Sequence, residues 1–308
     1  MSRVAILTTA VGYQTEQVEK LWTSLQRTGF KDRLVMLVDA MTADAIEKDT
    51  PDFVQLLVYE KVSPQDMMTA APAAIQQAAM GDFDHDDVRF LTEAFKIHPV
   101  WTSHFFASFN HPSVFRYFFY RDYLEQNAAD IDVVISCDCR DVVFQTNPSD
   151  VLKADAPLTF GYEAATTNLG SEAFNEAWVK HLWGEEVLNK YLGRRISCSG
   201  ATYSNTKGMI RYIDMICDNL LNLASRTKAG YGFDQAIHNR LWWDNLLSGL
   251  QMTENFQSEV VNLFGEKDAD VLRHYQDGVL WRADTTTPVM LVHQYDRYPA
   301  MALKAAEK

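Results

Sequence analysis

An alternation of short apolar runs with helix-patterned stretches constrains this chain more than any single motif. Residues 3–10 (RVAILTTA) read as a strand. Val11-Gly12-Tyr13 makes a turn. A helix capped by Thr15 then runs to about Thr28, with Val18, Leu21, Trp22 and Leu25 on its apolar face and Gly29 ending it. Residues 33–38 (RLVMLV) make a second strand ending at Asp39, a short acidic helical segment follows, and 54–62 (VQLLVYEKV) make a third strand. This β-α-β-α-β order predicts an α/β fold with a doubly wound, mostly parallel sheet. It lacks the GxGxxG fingerprint of a dinucleotide fold and has no phosphate-binding loop.

Composition narrows the functions that remain. With 47% hydrophobic and 22% charged residues among 308, the chain is an ordinary globular one. A net charge of −13 argues against general binding to nucleic acid or an anionic membrane. An anionic substrate would need local positive charge, backbone N–H groups or a bound cation. The four cysteines (Cys137, Cys139, Cys198, Cys217) are too few and scattered for a disulfide framework. Cys137-x-Cys139 lacks the usual spacing of a zinc pair. No apolar run follows Met1-Ser2-Arg3, and none reaches membrane-spanning length, so a soluble, cytoplasmic chain is expected.

The middle of the chain is harder to read. Ala70–Met80 is helix-prone, and the acidic stretch 81–90 lacks the spacing of a calcium loop. His98, His104 and His111 have no regular metal spacing. Residues 113–127 form an apolar helix carrying Arg116 and Arg121, five positions and about 140° apart. Then comes IDVVISCDCRDVVFQTNP (131–148), two β-branched runs around Asp138, Arg140 and Asp141. Such a charged knot at the end of a buried strand is costly unless a ligand or ion compensates it. Beyond it, 158–163 reads as a strand ending at Glu163, 171–192 as helix, and 196–205 as a small-residue strand. Thr206 caps a helix over 207–224, and Asp234 sits in the first turn of another. Residues 258–264, 278–282 and 288–299 close the chain with strand signals.

Four separated pieces fall at strand ends or helix starts: Asp138/Asp141, Ser199-Gly200-Ala201, Gly232-Phe233-Asp234-Gln235, and Val292-His293-Gln294-Tyr295-Asp296-Arg297. Two carboxylates and a late histidine suit Mn²⁺ or Mg²⁺ better than zinc. Taken singly, each piece also fits a structural role. Asp138 can be a strand-end cap paired with Arg140, His293 a core histidine, Asp234 a helix cap, and Arg116 and Arg121 snorkelling residues. Glu163 reads as structural first and as an acceptor contact second, and the Trp242-Trp243 pair as core rather than a sugar platform.

In order and spacing, VAILTTAVGY, the arginine-bearing helix before ADIDVVISCDCRDVVFQ, ISCSGATYSNTKGM, YGFDQAIHNRL and VHQYDRYP resemble the GT-A class of nucleotide-sugar glycosyltransferases, particularly family 8-like enzymes. The resemblance spans almost the whole chain. It implies one GT-A-type domain over 1–308, with a mixed, mostly parallel central sheet flanked by helices. A nucleotide-binding half would lie before about residue 150 and an acceptor half after it. It implies that Thr8, Thr9, Ala10 and Tyr13 cradle base and ribose, with Asp39 near the base. Arg116 or Arg121 would reach the donor. Asp138, Asp141 and His293 would hold a divalent cation on the diphosphate. Ser199, Gly200 and Ala201 would line the donor sugar, and Asp234 and Gln235 would sit between donor and acceptor. The implied activity is transfer of a sugar from a nucleotide-diphosphate donor, UDP-sugar favoured, to a glycan or other hydroxyl. Retention is favoured over inversion.

One departure from the family pattern matters. The usual Asp-x-Asp reads here as Asp138-Cys139-Arg140-Asp141. The two carboxylates converge only if the chain turns at Cys139-Arg140. Otherwise Arg140 faces the diphosphate and no metal is needed. His293, where a third ligand should be, favours the metal. A catalytically silent, GT-A-like carbohydrate-binding protein is the alternative, and a phosphohydrolase is a weaker one, since Arg140 breaks its nucleophile motif.

Overall fold

A computed structural model describes residues 2–60, 103, 104, 107, 110–224, 230–298, 301 and 303. The expectations for Ala70–Met80, for 81–90 and for His98 lie outside these residues.

The first strands and helices follow the expected order: β1 (Val4–Thr9), α1 (Thr15–Arg27), β2 (Arg33–Asp39), α2 (Ala40–Ile46) and β3 (Val54–Tyr59). Then come α3 (Pro112–Asn127), β4 (Val133–Cys137), β5 (Val142–Phe144), α4 (Pro148–Val151), β6 (Thr159–Tyr162), α5 (Ala173–Tyr191) and β7 (Ser197–Asn205). The chain continues through α6 (Thr206–Ala224), α7 (Phe233–Trp243), β8 (Gln251–Thr253), β9 (Val260–Asn262), α8 (Asp268–His274), β10 (Tyr275–Gln276), β11 (Val279–Leu280) and β12 (Leu291–His293).

Seven strands form one sheet in the order β3-β2-β1-β4-β7-β6-β8. The pairs from β3 to β4 are parallel, β7 runs antiparallel to both β4 and β6, and β8 is parallel to β6. The result is a mixed α/β sheet flanked by helices. Its two faces are sorted by the strand period of two. On β1, Ala5 and Leu7 join the core under α3, α6 and α7, while Val4 and Ile6 join the core under α1. Residues Val114 to Tyr120 of α3 are all buried, which explains an apolar pattern running round the whole helix.

Some boundaries differ from the sequence reading for local reasons. Gln14, not Thr15, is the residue before α1, and its N–H donates to Gln17 Oε1 at 2.9 Å. Asn205, not Thr206, caps α6, accepting from the Gly208 N–H at 2.8 Å. The helix expected over 171–192 breaks at Gly184, whose φ of 84° no helix contains. The late strands are shorter than their apolar runs.

The smaller sheet, β5-β12-β9, positions the site. β12 runs antiparallel to β5 and parallel to β9, with His293 opposite Val142 and Asn262. Gln145, fully buried just after β5, ties this sheet to the β10–β11 hairpin. Its amide donates to the Leu280 and Val289 carbonyls at 2.9 and 2.8 Å and accepts from the Leu280 N–H at 2.8 Å. Gln145→Leu would leave the Leu280 N–H and the Val289 carbonyl without these partners, each costing ~1–3 kcal/mol, while the Leu280 carbonyl keeps the Val289 N–H at 2.9 Å. A loss of at least about 2 kcal/mol in urea denaturation is expected; an unchanged midpoint would contradict this anchoring.

Candidate metal centre and cleft

β1 and β4 end side by side, and their parallel register pairs Leu7 with Ser136. Continued, it sets Thr9 beside Asp138 at the C-terminal edge of the sheet, the usual ligand-binding edge of an open α/β fold. The Asp138 N–H donates to the Gly200 carbonyl at 2.9 Å, extending the β4–β7 ladder by one residue. The chain then turns through Cys139 and Arg140. That turn brings Asp141 round to β12, where its carbonyl accepts from the Gln294 N–H at 2.7 Å.

Asp138, Asp141 and His293 therefore converge, each offering a ligand atom within 4.8 Å of the others. His293 Nε2 lies 3.5 Å from Asp138 Oδ2 and 3.7 Å from Asp141 Oδ1. It is buried and makes no hydrogen bond. The other ring nitrogen is committed. Asn262 donates its amide to the carbonyls of Gly161 and Tyr162, at 3.1 and 3.4 Å, so its oxygen faces His293 Nδ1 at 3.0 Å. Nδ1 thus carries a proton, and Nε2, which faces the carboxylates, is the nitrogen that gains or loses one. This is the outer support that metal-binding histidines require. Gly161 admits the Asn262 amide, since a methyl there would sit 2.7 Å from its nitrogen.

Arg116 underlies the centre. It is 2% exposed, yet its guanidinium pairs with Asp138 Oδ1 at 2.6 Å and Asp234 Oδ2 at 3.1 Å. Asp234 also accepts from Ser199 Oγ at 3.3 Å. Burial opposes ionisation of Asp138, but Arg116 and His293 outweigh it and hold its carboxyl below the usual range. Burial instead dominates at Asp141 and Asp234 and raises both. For His293 burial opposes the imidazolium, while the Cys198 sulfur and the Asp141 and Asp138 carboxylates favour it and raise its protonation range. Asp138, Asp141 and Asp234 gather near one buried arginine, with Arg140 and Arg297 only at the rim, and a divalent cation would offset their charge. Two carboxylates with one imidazole suit Mn²⁺ or Mg²⁺.

A cleft of about 390 Å³ opens over this centre. Of the residues expected in it, Thr9, Tyr13, Arg116, Asp138, Arg140, Asp141, Ser199, Asp234, Gln235 and His293 line it. Others do not. Thr8, Ala10 and Ala201 are buried in the core. Asp39 is used as a cap, accepting from the Thr42 N–H at 2.7 Å and the Gly12 N–H at 3.0 Å. Arg121 turns away to Asp214 at 2.9 Å and Glu125 at 3.2 Å, so of the two helix arginines only Arg116 reaches the cleft. Arg140 stands at the rim with its side chain 51% exposed, 3.8 Å from Asp296. Gly200 makes room for His293 and Asp138, because a methyl there would lie 2.3 Å from the His293 ring and 2.6 Å from Asp138 Oδ2.

Sequence reasoning missed His111, Trp178, Tyr231 and Gln294 in the cleft wall, and Asn262 behind His293. The exposed tyrosine between Gly230 and Gly232 was the available signal. All four cysteines are buried and unpaired. Among the described residues no helix is long and apolar enough to cross a membrane.

In comparisons with known proteins, no family model matches the chain and no curated protein matches it.

Two outcomes are expected. Gly200→Ala should weaken Mn²⁺ binding on the order of 100-fold, read by calorimetry on a variant that still unfolds cooperatively; wild-type affinity would show that Gly200 does not set this centre. Its neighbours raise the His293 protonation range, whereas a metal needs Nε2 without a proton. Mn²⁺ binding should therefore release protons, and affinity should rise with pH, by up to about tenfold per unit, below that range. Calorimetry in buffers of different ionisation enthalpy reads this, and pH-independent affinity would contradict it.

Proposed function

We propose that the chain is a glycosyltransferase that moves a sugar from a nucleotide-diphosphate donor, UDP-sugar favoured, to a glycan or other hydroxyl acceptor. The observation that carries this reading is the convergence of Asp138, Asp141 and the unpaired His293 Nε2 in a cleft at the sheet's C-terminal edge. The donor set also fits the charge of the chain, since a diphosphate needs positive charge that a −13 protein has to gather locally.

In this reading Asp138, Asp141 and His293 would hold Mn²⁺ or Mg²⁺, which as a Lewis acid would neutralise charge on the leaving diphosphate. Thr9 and Tyr13 would contact the nucleoside, and Ser199 the donor sugar. Arg116 keeps the Asp138 carboxyl ionised and fixes its direction, and does the same for the direction of Asp234. We assign Asp234, with Gln235 beside it, to the space between donor and acceptor. There the carboxylate either takes the proton of the attacking hydroxyl or steadies an oxocarbenium-like state. Retention follows the second role and is favoured. Arg140 and Arg297, both at the cleft and both beside Asp296, would meet phosphate from the rim.

Thermal shift with UDP, GDP and CDP, with and without Mn²⁺, tests the donor. Stabilisation by one nucleotide that depends on Mn²⁺ is expected, and at 100 times Kd it amounts to about 2.7 kcal/mol. No stabilisation by any of them would sink the reading. Asp234→Asn should then lower donor-sugar turnover by on the order of 10²–10⁴-fold. Metal-dependent nucleotide binding with no transfer or hydrolysis by the wild type would instead support a silent carbohydrate-binding protein.

A further inference from the structure

A row of aromatic rings leaves the cleft and ends in solvent. Ring centroids of His111 and Tyr231 are 5.3 Å apart, those of Tyr231 and Trp178 5.7 Å, and those of Trp178 and Phe174 6.1 Å. Tyr231 and Phe174 are each 65% exposed. Exposed rings gathered beside a polar cleft contribute little to folding and mark a surface that binds something. Their arrangement is built in. Gly232 takes φ +84°, and a methyl on it would lie 2.1 Å from the Trp178 ring, so the indole rests directly on that glycine.

Beside Phe174 and Trp178 lies a second cavity of about 240 Å³. Trp178, Tyr231, Gln235, Gln294 and Arg297 line both spaces, which makes them continuous. Glu163, 3% exposed at the end of β6, forms its polar end. Oε1 accepts from Gln235 Nε2 at 3.2 Å, whereas Oε2 is buried with no partner. The same Gln235 amide donates to Asn175 Oδ1 at 3.2 Å, so it has no further hydrogen to offer. Burial pushes the Glu163 carboxyl up to about 7, against the Gln235 hydrogen bond. A buried acceptor left unsatisfied costs ~1–3 kcal/mol, and a ligand hydroxyl would remove that cost.

We infer that this second cavity and its aromatic row bind one pyranose ring, with the ring's C–H face against Phe174 and Trp178 and one hydroxyl donating to Glu163 Oε2. That the bound pyranose is the acceptor rests on the transferase reading above; that it binds does not. A wholly apolar ligand would leave Oε2 unpaired. An anion would meet Glu163 and Glu172 together, and the one arginine of the cavity, Arg297, is already paired with Asp296 at 3.1 Å. Drug-sized ligands fill pockets of ~300–1,000 Å³, so the smaller cavity suits a single ring. Aromatic rings that are apolar on the face and a carboxylate at the edge match a molecule that is itself apolar on one face and hydroxylated at its rim.

Saturation-transfer NMR on the full chain with UDP and Mn²⁺ tests this. The probes are the methyl α- and β-pyranosides of glucose, galactose, mannose and N-acetylglucosamine, with choline as a cationic control. At least one pyranoside should bind, with transfer strongest at its ring C–H protons. Phe174→Ala and Glu163→Gln, each checked for native circular dichroism, should weaken it by about tenfold or more. No pyranoside binding, binding untouched by both variants, or a preference for choline would overturn the site. Nucleotide stabilisation without pyranoside binding defeats this site alone. Pyranoside binding without nucleotide stabilisation defeats the donor reading alone.

Discussion

One buried arginine organises the sheet edge at which the candidate site lies. Arg116 sits 2% exposed between Asp138 and Asp234, which come from a strand end and a helix start 96 residues apart in sequence. Desolvating a guanidinium is expensive, and the cost is met only because both carboxylates are aligned with it. Removing Arg116 leaves the buried Asp234 carboxylate without its countercharge, at about 3–5 kcal/mol for a buried pair. The same pairing fixes where the two carboxylates point. α3 can bury Arg116 because Pro112 starts the helix against the sheet and the residues around the arginine are aromatic or aliphatic.

The Asp138–Asp141–His293 group depends on backbone register as much as on side chains. Antiparallel pairing of β5 with β12 sets His293 opposite Val142, one residue past Asp141. β9 runs on the other side and delivers Asn262 to His293 Nδ1. A one-residue slip in either pairing would turn these side chains to the opposite face. Gln294, at a left-handed φ of 62°, ends β12 and swings the chain into the turn Tyr295–Arg297, which brings Asp296 toward Arg140. Two glycines make room in this small space, Gly200 for His293 and Asp138 and Gly161 for Asn262.

Much of the fold was legible because it is written in short periods. The β-α-β-α-β start, the apolar face of α1 and the strand ends at Asp39 and Asp138 follow from local patterning. The reading was weaker where tertiary burial overrides local signals. α3 carries no clear amphipathic stripe because both sides are covered, and α5 is broken at Gly184 without any proline to announce it. Helix caps moved by one residue at Gln14 and Asn205, since neighbouring polar residues compete for the same N–H groups.

For the site, the sequence alone determined which residue types could meet: two aspartates, a late histidine, two arginines, and an aspartate in a first helical turn. It could not decide among them. Asp138-Cys139-Arg140-Asp141 is compatible with two carboxylates or with a carboxylate and an arginine facing the cleft. Only the turn at Cys139-Arg140 and the β5–β12 register bring Asp141 to His293 and leave Arg140 on the rim. Arg116 and Arg121 look alike in sequence, yet the helix rotation between them buries one beside Asp138 and sends the other to Asp214. The small residues of Ser199-Gly200-Ala201 read as room for a ligand, and the packing gives Gly200's room to His293 and Asp138 instead. The reason is common to all three cases: residue type and spacing are local, whereas the direction of a side chain is set by the strand or helix packed across from it.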